Sequence, residues 1–204
     1  FEWKLSDAVA LKSITAYRKV TGFWTRDSDH SPATIVETNS DWKQDQFSQE
    51  FQLSGDALDK RLNWLLGAYY SSESGNHKDL VNIIDAVFLS GAVLKGKSYA
   101  VFGQATYEIV DNLNLTAGVR WTQDQKTFNN ANQFVVEAGF LTGAPFNPDG
   151  SGLQDGDPLM GPLGQSATIK DRAWTPMASL SYRWSPEVLT YVSYSKGFKG
   201  GGFT

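Results

Sequence analysis

Residues 97–124 read KSYAVFGQATYEIVDNLNLTAGVRWTQD, and the spacing of apolar residues in this stretch decides the fold. From Leu113 to Trp121, every second residue is apolar, and the residues between them are mostly polar. A period of two predicts a β-strand, because successive side chains of a strand point to opposite faces. The first half alternates in the same way, and Asp111 and Asn112 between the halves favour a tight turn. The stretch therefore predicts a β-hairpin.

The arms of this hairpin are long. Each has about a dozen residues, roughly twice the mean for strands in soluble domains. A strand needs about nine to eleven residues to cross a membrane. The arms are therefore long enough to cross a lipid bilayer.

The composition excludes several classes of protein. Of the 204 residues, 41% are hydrophobic and 20% are charged, which is not the composition of a disordered chain. There is no run of about eighteen apolar residues, so no transmembrane helix is predicted. Barrel strands cross a membrane with alternating residues, half of them polar, so this result is compatible with a membrane barrel.

Charge and cysteine content exclude two further kinds of site. The net charge is −4 and the Lys and Arg residues are scattered, so we expect no nucleic-acid partner. The chain has no cysteine, and therefore neither a disulfide framework nor a thiolate metal site is predicted. Because it starts at Phe1 and ends in a glycine-rich run, we expect it to be part of a longer protein.

The whole chain is predicted to be an all-β antiparallel meander of about eight strands. These strands are predicted over residues 1–5, 9–20, 47–54, 62–71, 98–109, 113–122, 173–184 and 188–198. Short turns (SD, GDALDK, DN and SPE) alternate with long connections over residues 21–46, 72–96 and 125–171. Loops of that length are uncommon in compact soluble domains. Short turns at one end and long loops at the other are typical of an outer-membrane barrel.

One segment of the second long connection has the spacing of a helix. Between residues 79 and 89, the apolar residues are Leu80, Ile83, Ile84, Val87 and Phe88. Asp79 precedes them and is a favourable N-cap residue. The pattern predicts a short helix over residues 79–89.

Aromatic residues gather near the predicted strand ends, as they do in the interface girdles of membrane barrels. The residues concerned are Tyr17, Tyr69, Tyr70, Tyr99, Tyr107, Trp121, Tyr182 and Trp184. Alternation rich in aromatic residues also builds soluble β-sandwiches. The pattern alone therefore leaves two alternatives open for a binding or adhesion module: a small eight-stranded outer-membrane barrel or a soluble β-sandwich.

Residues 190–203, TYVSYSKGFKGGGF, resemble a late-barrel signature of the TonB-dependent outer-membrane receptors. In that family, a strand rich in Tyr and Ser ends in Gly-Phe and a glycine-rich step into an extracellular loop. The stretch AVFGQATYEIVDNLNLTAGVRWTQD resembles a mid-barrel hairpin of the same family, as do LKSITAYR and FSQEFQLSG followed by LNWLLGAYY. The resemblance covers nearly every predicted strand and none of the long connections.

The resemblance implies that residues 1–204 are one segment of a TonB-dependent receptor β-barrel domain, about a third of a barrel of roughly twenty-two strands. It implies a place in the Gram-negative outer membrane, with the short turns periplasmic and the long loops extracellular. The implied function is uptake of ferric siderophores or a similar scarce nutrient, without a cofactor and without catalysis. The implied partners are membrane lipid, this ligand and the TonB complex, which acts through an N-terminal plug. The sequence shows no plug and no TonB box.

Alternation assigns the two faces of the late strands. The predicted lipid-facing residues are Leu115, Ala117, Val119, Trp121, Ala178, Leu180 and Tyr182. The predicted lumen-facing residues are Asn114, Thr116, Arg120, Thr122, Ser179, Ser181 and Arg183. Polar groups inside such a barrel meet water, whereas backbone groups in the membrane are satisfied only by neighbouring strands.

Residues in the first long connection are candidates for ligand capture. Trp24, Arg26, His30 and Trp42 bring aromatic and charged groups into one segment of the sequence. Binding residues are often carried on loops that a rigid scaffold positions. Solvated spacers have a similar composition, so these residues are candidates from composition alone.

Two motifs suggest other chemistry but do not fit it. Residues 91–98, GAVLKGKS, match the P-loop pattern, yet a P-loop must open a helix, and residues 98–109 alternate as a strand. Residues 147–157, NPDGSGLQDGD, lack the spacing and the closing Glu of a calcium loop.

The sequence also lacks the marks of a metal site or an active site. His30 and His77 are isolated from recognisable partners, so no metal site is predicted. The sequence contains no nucleophile elbow and no placed acid–base pair. An outer-membrane lipase or protease is therefore disfavoured.

Overall fold

The computed structural model describes residues 1–33, 35–130, 134–139, 153–158 and 165–203. These residues form nine β-strands and, within the described ranges, no α-helix. The strands are β1 (Glu2–Lys4), β2 (Val9–Asp27), β3 (Val36–Ala57), β4 (Leu62–Ile83), β5 (Ala86–Val110), β6 (Leu113–Asn130), β7 (Phe134–Glu137), β8 (Gln165–Arg183) and β9 (Leu189–Ser195). They form one antiparallel sheet in sequence order, with β7 paired to β5 outside the main path. The predicted all-β meander is confirmed.

The sheet is open. In the described part of the chain, β1 and β9 lie at its two edges, and the strands between them follow in sequence order apart from β7, which pairs with β5. A small closed eight-stranded barrel requires its first and last strands to pair. That alternative is therefore wrong for this chain. A search of the described residues also finds no helix that is both long and apolar enough to cross a membrane.

The helix predicted over residues 79–89 is wrong. β4 continues to Ile83 and β5 starts at Ala86, so these residues form a hairpin, with Ile84 in the left-handed region at φ 56°. The apolar spacing has another cause. Val81 and Ile83 pack with Ala86 and Phe88 on one face of the hairpin, and Val135 of the paired strand β7 and Leu153 complete this buried cluster. Burial against a distant segment overrode the local helical pattern.

The long connections are shorter than predicted because the strands extend into them. β2 and β3 reduce the first connection to residues 28–35, and β4 and β5 reduce the second to residues 84–85. β6 extends to Asn130 and β8 begins at Gln165, and the described residues between them contain β7, which accounts for the ninth strand. Most extensions carry mainly polar residues on both faces, whereas residues 86–94 of β5 are mainly apolar on both faces. Neither kind shows the alternation of a strand with one buried face.

The cross-strand register brings the predicted lipid-facing residues together. Leu115 is paired with Leu180 and Ala117 with Ala178, whereas Asn114 lies opposite Ser181 on the other side of the sheet. We call the side that carries Leu115 the apolar face and the opposite side the polar face. The alternation in the sequence therefore assigned these residues of β6 and β8 to the correct faces of the sheet.

Aromatic residues form two rows on the apolar face. Tyr99 and Tyr107 lie eight residues apart on β5, and Trp174 and Tyr182 lie eight residues apart on β8. Eight residues of strand span about 27 Å, which a tilt of about 40° reduces to a height of roughly 21 Å. In β2–β6 and β8, all described residues on the apolar face between the rows are uncharged. These are the dimensions of a transmembrane barrel belt, which is about 25 Å tall between aromatic girdles.

An arginine is held at the centre of the polar face. The guanidinium carbon of Arg120 lies 5.6 Å from the ring centroid of Tyr69 and 5.4 Å from that of Phe102, within the range of a cation–π interaction. The Phe102 ring lies across Gly67, where a β-carbon would be only 2.1 Å from the ring. Gly67 therefore provides the space for the ring that supports Arg120.

The substitution Val119→Arg should destabilise the protein by roughly 2–4 kcal/mol in a bilayer, because it places a charge on the apolar face midway between the aromatic rows. Gln104→Arg is the matched control, since Gln104 lies at the same height on the polar face, opposite Gly118. Equilibrium unfolding by urea in lipid vesicles measures both. Equal stability of the two variants would contradict the face assignment.

The substitution Gly67→Ala should cost about 1–3 kcal/mol, because the added methyl group displaces the Phe102 ring from Gly67. Gly75→Ala is the control, since a β-carbon at Gly75 meets nothing within 4 Å. The same urea titration measures the difference between the variants. Adding Phe102→Leu to Gly67→Ala should recover part of the loss, and a failure to do so would place the strain elsewhere.

Candidate functional site

A cleft of about 590 Å³ lies on the polar face, beyond the aromatic row that contains Tyr99. The cross-strand register explains its floor. One row of paired residues runs through Gln44, Gly75, Leu94 and Phe128, and Gly75 contributes no side chain to it. A β-carbon built at Gly75 meets nothing within 4 Å, so the middle of the row is empty.

Two tryptophans form one wall of the cleft. Trp42 on β3 is paired with Gly22 on β2, and its indole lies across that glycine. A β-carbon at Gly22 would be 1.9 Å from the indole nitrogen, so a larger residue there would displace the ring. Trp24 follows two residues later on the same face and is half exposed. The glycine therefore allows the Trp42 ring to lie flat next to Trp24.

A histidine stands next to this wall. His77 on β4 is the cross-strand partner of Trp42, and its Nε2 lies 2.8 Å from Oδ1 of Asp79. The same carboxylate oxygen accepts a hydrogen bond from the buried hydroxyl of Ser40. Asp79 therefore holds the imidazole in place at the rim of the cleft.

This cluster does not have the arrangement of a hydrolase. In a Ser-His-Asp triad, the imidazole lies between the hydroxyl and the carboxylate. Here Asp79 lies between Ser40 and His77, and the hydroxyl donates to the carboxylate. The imidazole is therefore not positioned to remove the proton of Ser40.

Charged side chains line the opposite wall. Glu73 and Lys126 occupy the row next to Gly75, on either side of Gly96. The ammonium group of Lys126 donates a hydrogen bond of 2.7 Å to the carbonyl oxygen of Gly201, in the segment that follows β9. Gly202 and Phe203 of that segment also line the cleft. Aromatic surface and a cation therefore meet in one cavity.

Of the four candidates named from the sequence, Trp24 and Trp42 come together in the cleft. Arg26 lies on β2 beyond Trp24 and is paired with Thr38, and it is not among the described residues that line the cavity. His30 lies in the turn after β2, where it is exposed and has a φ of 57°. Its backbone N–H donates a hydrogen bond to the carboxylate of Asp27. The positions of these four residues do not test whether they contact a ligand. Ligand binding by all four therefore stays a prediction.

Sequence reasoning missed Gly75, His77, Leu94 and Lys126. All four lie in predicted long connections, the first three in residues 72–96 and Lys126 in residues 125–171. Continuing the hairpin pairing outward from Tyr70 and Tyr99 would have found them, because that register aligns Gly75 with Leu94. The register of strand pairing, and not the amino-acid composition, was therefore the signal that identifies these residues.

The P-loop match lies inside a strand. Residues 91–98 belong to β5, which continues without a break to Val110. The prediction that this stretch leads into a strand instead of a helix is confirmed. The sequence predicts that residues 147–157 do not form a calcium loop. Of these, only residues 153–157 are described, and the others lie outside the described residues.

Long antiparallel strands with an uncharged apolar face between two aromatic rows define a segment of a transmembrane β-barrel. The family model of the TonB dependent receptor-like β-barrel matches residues 1–204, and the chain belongs to this family. The resemblance found in the sequence is confirmed. Members of the family are outer-membrane transport receptors of Gram-negative bacteria and not enzymes.

Three solved structures with a similar fold are uptake, import or siderophore receptors. The ferric yersiniabactin uptake receptor FyuA of Yersinia pestis matches with a TM-score of 0.68 and 13% identity, over 92% of this chain and 25% of that receptor. The open form of the ferric-catecholate import receptor Fiu of E. coli K12 matches with a TM-score of 0.68 and 13% identity, over 95% of this chain and 34% of that receptor. The siderophore receptor PiuA of Acinetobacter baumannii matches with a TM-score of 0.66 and 14% identity, over 95% of this chain and 30% of that receptor. The chain spans between a quarter and about a third of these receptors.

A carboxylate orders the connection between β2 and β3, above the Trp24 wall. Asp29 accepts hydrogen bonds from the N–H groups of Ser31, Ile35 and Val36, at 2.9, 3.2 and 2.7 Å. The hydrogen bond from the Ser31 side chain, followed by that from Val36, lowers the pKa of Asp29 below its ordinary value. The ionised form is therefore the one that stabilises this connection.

The order of residues 28–35 should depend on pH through Asp29. Because the pKa is lowered in the folded protein, the stabilisation is complete above the ordinary pKa of Asp and is lost as the pH falls through the lowered value. Hydrogen-exchange protection of the Val36 amide should decrease over that range. Asp29→Asn should decrease it at neutral pH and remove this pH dependence, and unchanged protection in the variant would contradict the role of Asp29.

Proposed function

We propose that residues 1–204 form one segment of the barrel domain of an outer-membrane receptor that takes up a ferric siderophore or a similar scarce nutrient. The observation that carries the proposal is the cleft on the polar face, in a chain that belongs to the TonB-dependent receptor family. The fold neighbours support the substrate class, since FyuA is a ferric yersiniabactin uptake receptor, Fiu a ferric-catecholate import receptor and PiuA a siderophore receptor.

The size and lining of the cleft suit such a ligand. Its volume of about 590 Å³ lies within the range of small-molecule sites, which is about 300–1,000 Å³. Trp24 and Trp42 offer flat aromatic surface, and Lys126 offers a cation close to it. Ferric siderophores combine extended organic groups with negatively charged metal-binding oxygens. Stacking on the indoles together with pairing to the ammonium group of Lys126 would hold both parts.

The proposal includes energisation by the TonB complex through an N-terminal plug outside this chain. The partner on the other face is membrane lipid, which would contact the uncharged belt between the aromatic rows. Under this arrangement, the polar face and its loops bind the ligand. Transport requires the plug and an energy source as well.

The cleft can be blocked without disturbing the sheet. Gly75→Trp should place an indole in the empty middle of the floor row, because nothing lies within 4 Å of a β-carbon there. In cells that carry the full-length receptor, uptake of ⁵⁵Fe from ferric siderophores should then need a ligand concentration about tenfold higher or more, a change of ~1.4 kcal/mol in binding. A panel of ferric catecholates, ferric hydroxamates, haem, cobalamin and saccharides identifies the substrate class.

Gly197→Trp is the matched control, since it adds the same side chain at an exposed glycine with open space and outside the cleft. A protonophore should abolish uptake by the parent and leave surface binding unchanged. If no member of the panel is taken up above the level of a deletion strain, the transport proposal is wrong. If uptake occurs and Gly75→Trp does not impair it, the ligand binds elsewhere.

A further inference from the structure

The segment after β9 folds back over the polar face. We call residues 199–203, with the sequence KGGGF, the glycine strap. The N–H of Gly201 donates a hydrogen bond of 2.7 Å to Oδ2 of Asp171 on β8, and its carbonyl oxygen accepts one of 2.7 Å from Lys126 on β6. The ring of Phe203 packs against that of Phe128, with 5.5 Å between the centroids.

The strap reaches into the cleft described above. Gly202 and Phe203 belong to its lining, together with Trp24 and Trp42 of the opposite wall and Leu94 of the floor. Phe128, on which the Phe203 ring rests, is the cross-strand partner of Leu94 in the floor row. The strap therefore covers the β6 side of a cavity whose other side is formed by β2, β3 and β4.

One cation serves both the strap and the cavity. The ammonium group of Lys126 lines the cleft and is the donor to the Gly201 carbonyl. A neutral carbonyl is a weaker acceptor than an anionic oxygen, because hydrogen bonds with an ionised partner on both sides are stronger. An anionic ligand in the cleft would therefore compete with the strap for the same ammonium.

The strap is held by few contacts. Its three consecutive glycines bury no side chain, and glycine loses more conformational freedom on ordering than any other residue. The described attachments of the strap are two hydrogen bonds, to Asp171 and Lys126, and one ring contact, to Phe128. Segments with so few buried contacts open at low free-energy cost.

We propose that the glycine strap is a built-in competitor that occupies the cleft in the absence of ligand and swings away when an anionic ligand takes Lys126. The proposal deepens the proposed function and rests on it for the identity of the ligand. The closing of the cleft by the strap can be tested without any ligand. A failure of the transport proposal can therefore be told apart from a failure of the strap proposal.

The first experiment measures access to the cleft. The chain has no cysteine, so Gly75→Cys in the full-length protein in isolated outer membranes introduces a thiol at the floor, and the parent without it gives the background. A bulky maleimide should modify this thiol at least about threefold faster when Asp171→Ala or Phe203→Ala loosens the strap, since each removes one attachment of an opening equilibrium. Asp111→Cys is the control thiol, with a side chain that is 97% exposed at the far end of the sheet. Its rate should not respond to either change.

The second experiment measures competition, with the ferric complex of 2,3-dihydroxybenzoate as the anionic probe. Asp171→Ala and Phe203→Ala should tighten its binding at least about twofold, because the probe no longer displaces a fully attached strap. Lys126→Met should speed the maleimide reaction at Gly75→Cys and weaken probe binding at the same time, since Lys126 holds the strap and would hold the ligand. Opposite changes of the two readouts in one variant are specific to shared use of the cation.

Each result bears on the proposal. If the Gly75→Cys thiol reacts at the same rate with and without the strap substitutions, the strap does not close the cleft and the proposal is overturned. If the rate rises in the strap variants but the probe binds the parent and the variants equally well, the strap does not compete with ligand and the proposal is also overturned. If the rate rises and the probe does not bind the parent or any variant, competition for an anionic catecholate is overturned, while closure of the cleft stands.

Discussion

Continuous pairing of neighbouring strands is the constraint on which the rest of this structure depends. Inside a bilayer, backbone N–H and C=O groups find partners only in the next strand, so the ladder must be complete across the membrane. A slip of one residue between two strands would move every side chain to the other face. Pairs such as Leu115 with Leu180 and Thr116 with Ser179 show that one register is kept from strand to strand. The uncharged apolar belt, the polar face and the position of the cleft all follow from that register.

Glycines determine what the polar face can carry. Gly67 lies beneath the Phe102 ring and Gly22 beneath the Trp42 indole, so each large ring lies flat against the sheet. A flat ring then offers its face to another group, as Phe102 does to Arg120. Gly75 has the opposite effect, because no ring covers it and the space stays empty. The same residue type therefore builds both the supported arginine and the cavity, and the neighbouring side chain decides which.

The sequence predicted the part of the fold in which one face is apolar. The alternation in residues 97–124 identified two strands and their faces correctly, because burial of every second residue leaves a period of two. Where both faces are mainly polar, as in residues 72–79, or mainly apolar, as in residues 86–94, that period disappears, and the sequence predicts a connection containing a helix over residues 72–96. Only pairing with a neighbour shows that Gly75 and His77 lie on a strand. For this reason Trp24 and Trp42 were found from composition, whereas the residues that complete the cleft were not.

The height of the cleft above the membrane belt explains its charged lining. Gly75 lies five residues beyond Tyr70, which belongs to the aromatic row. Five residues of strand span about 17 Å, or roughly 13 Å of height at a tilt of about 40°. Glu73, His77 and Lys126 are therefore outside the hydrocarbon layer, where a charge does not carry the cost of burial in lipid. The strand extensions thus place a rigid, charged and aromatic surface in water, above the lipid belt.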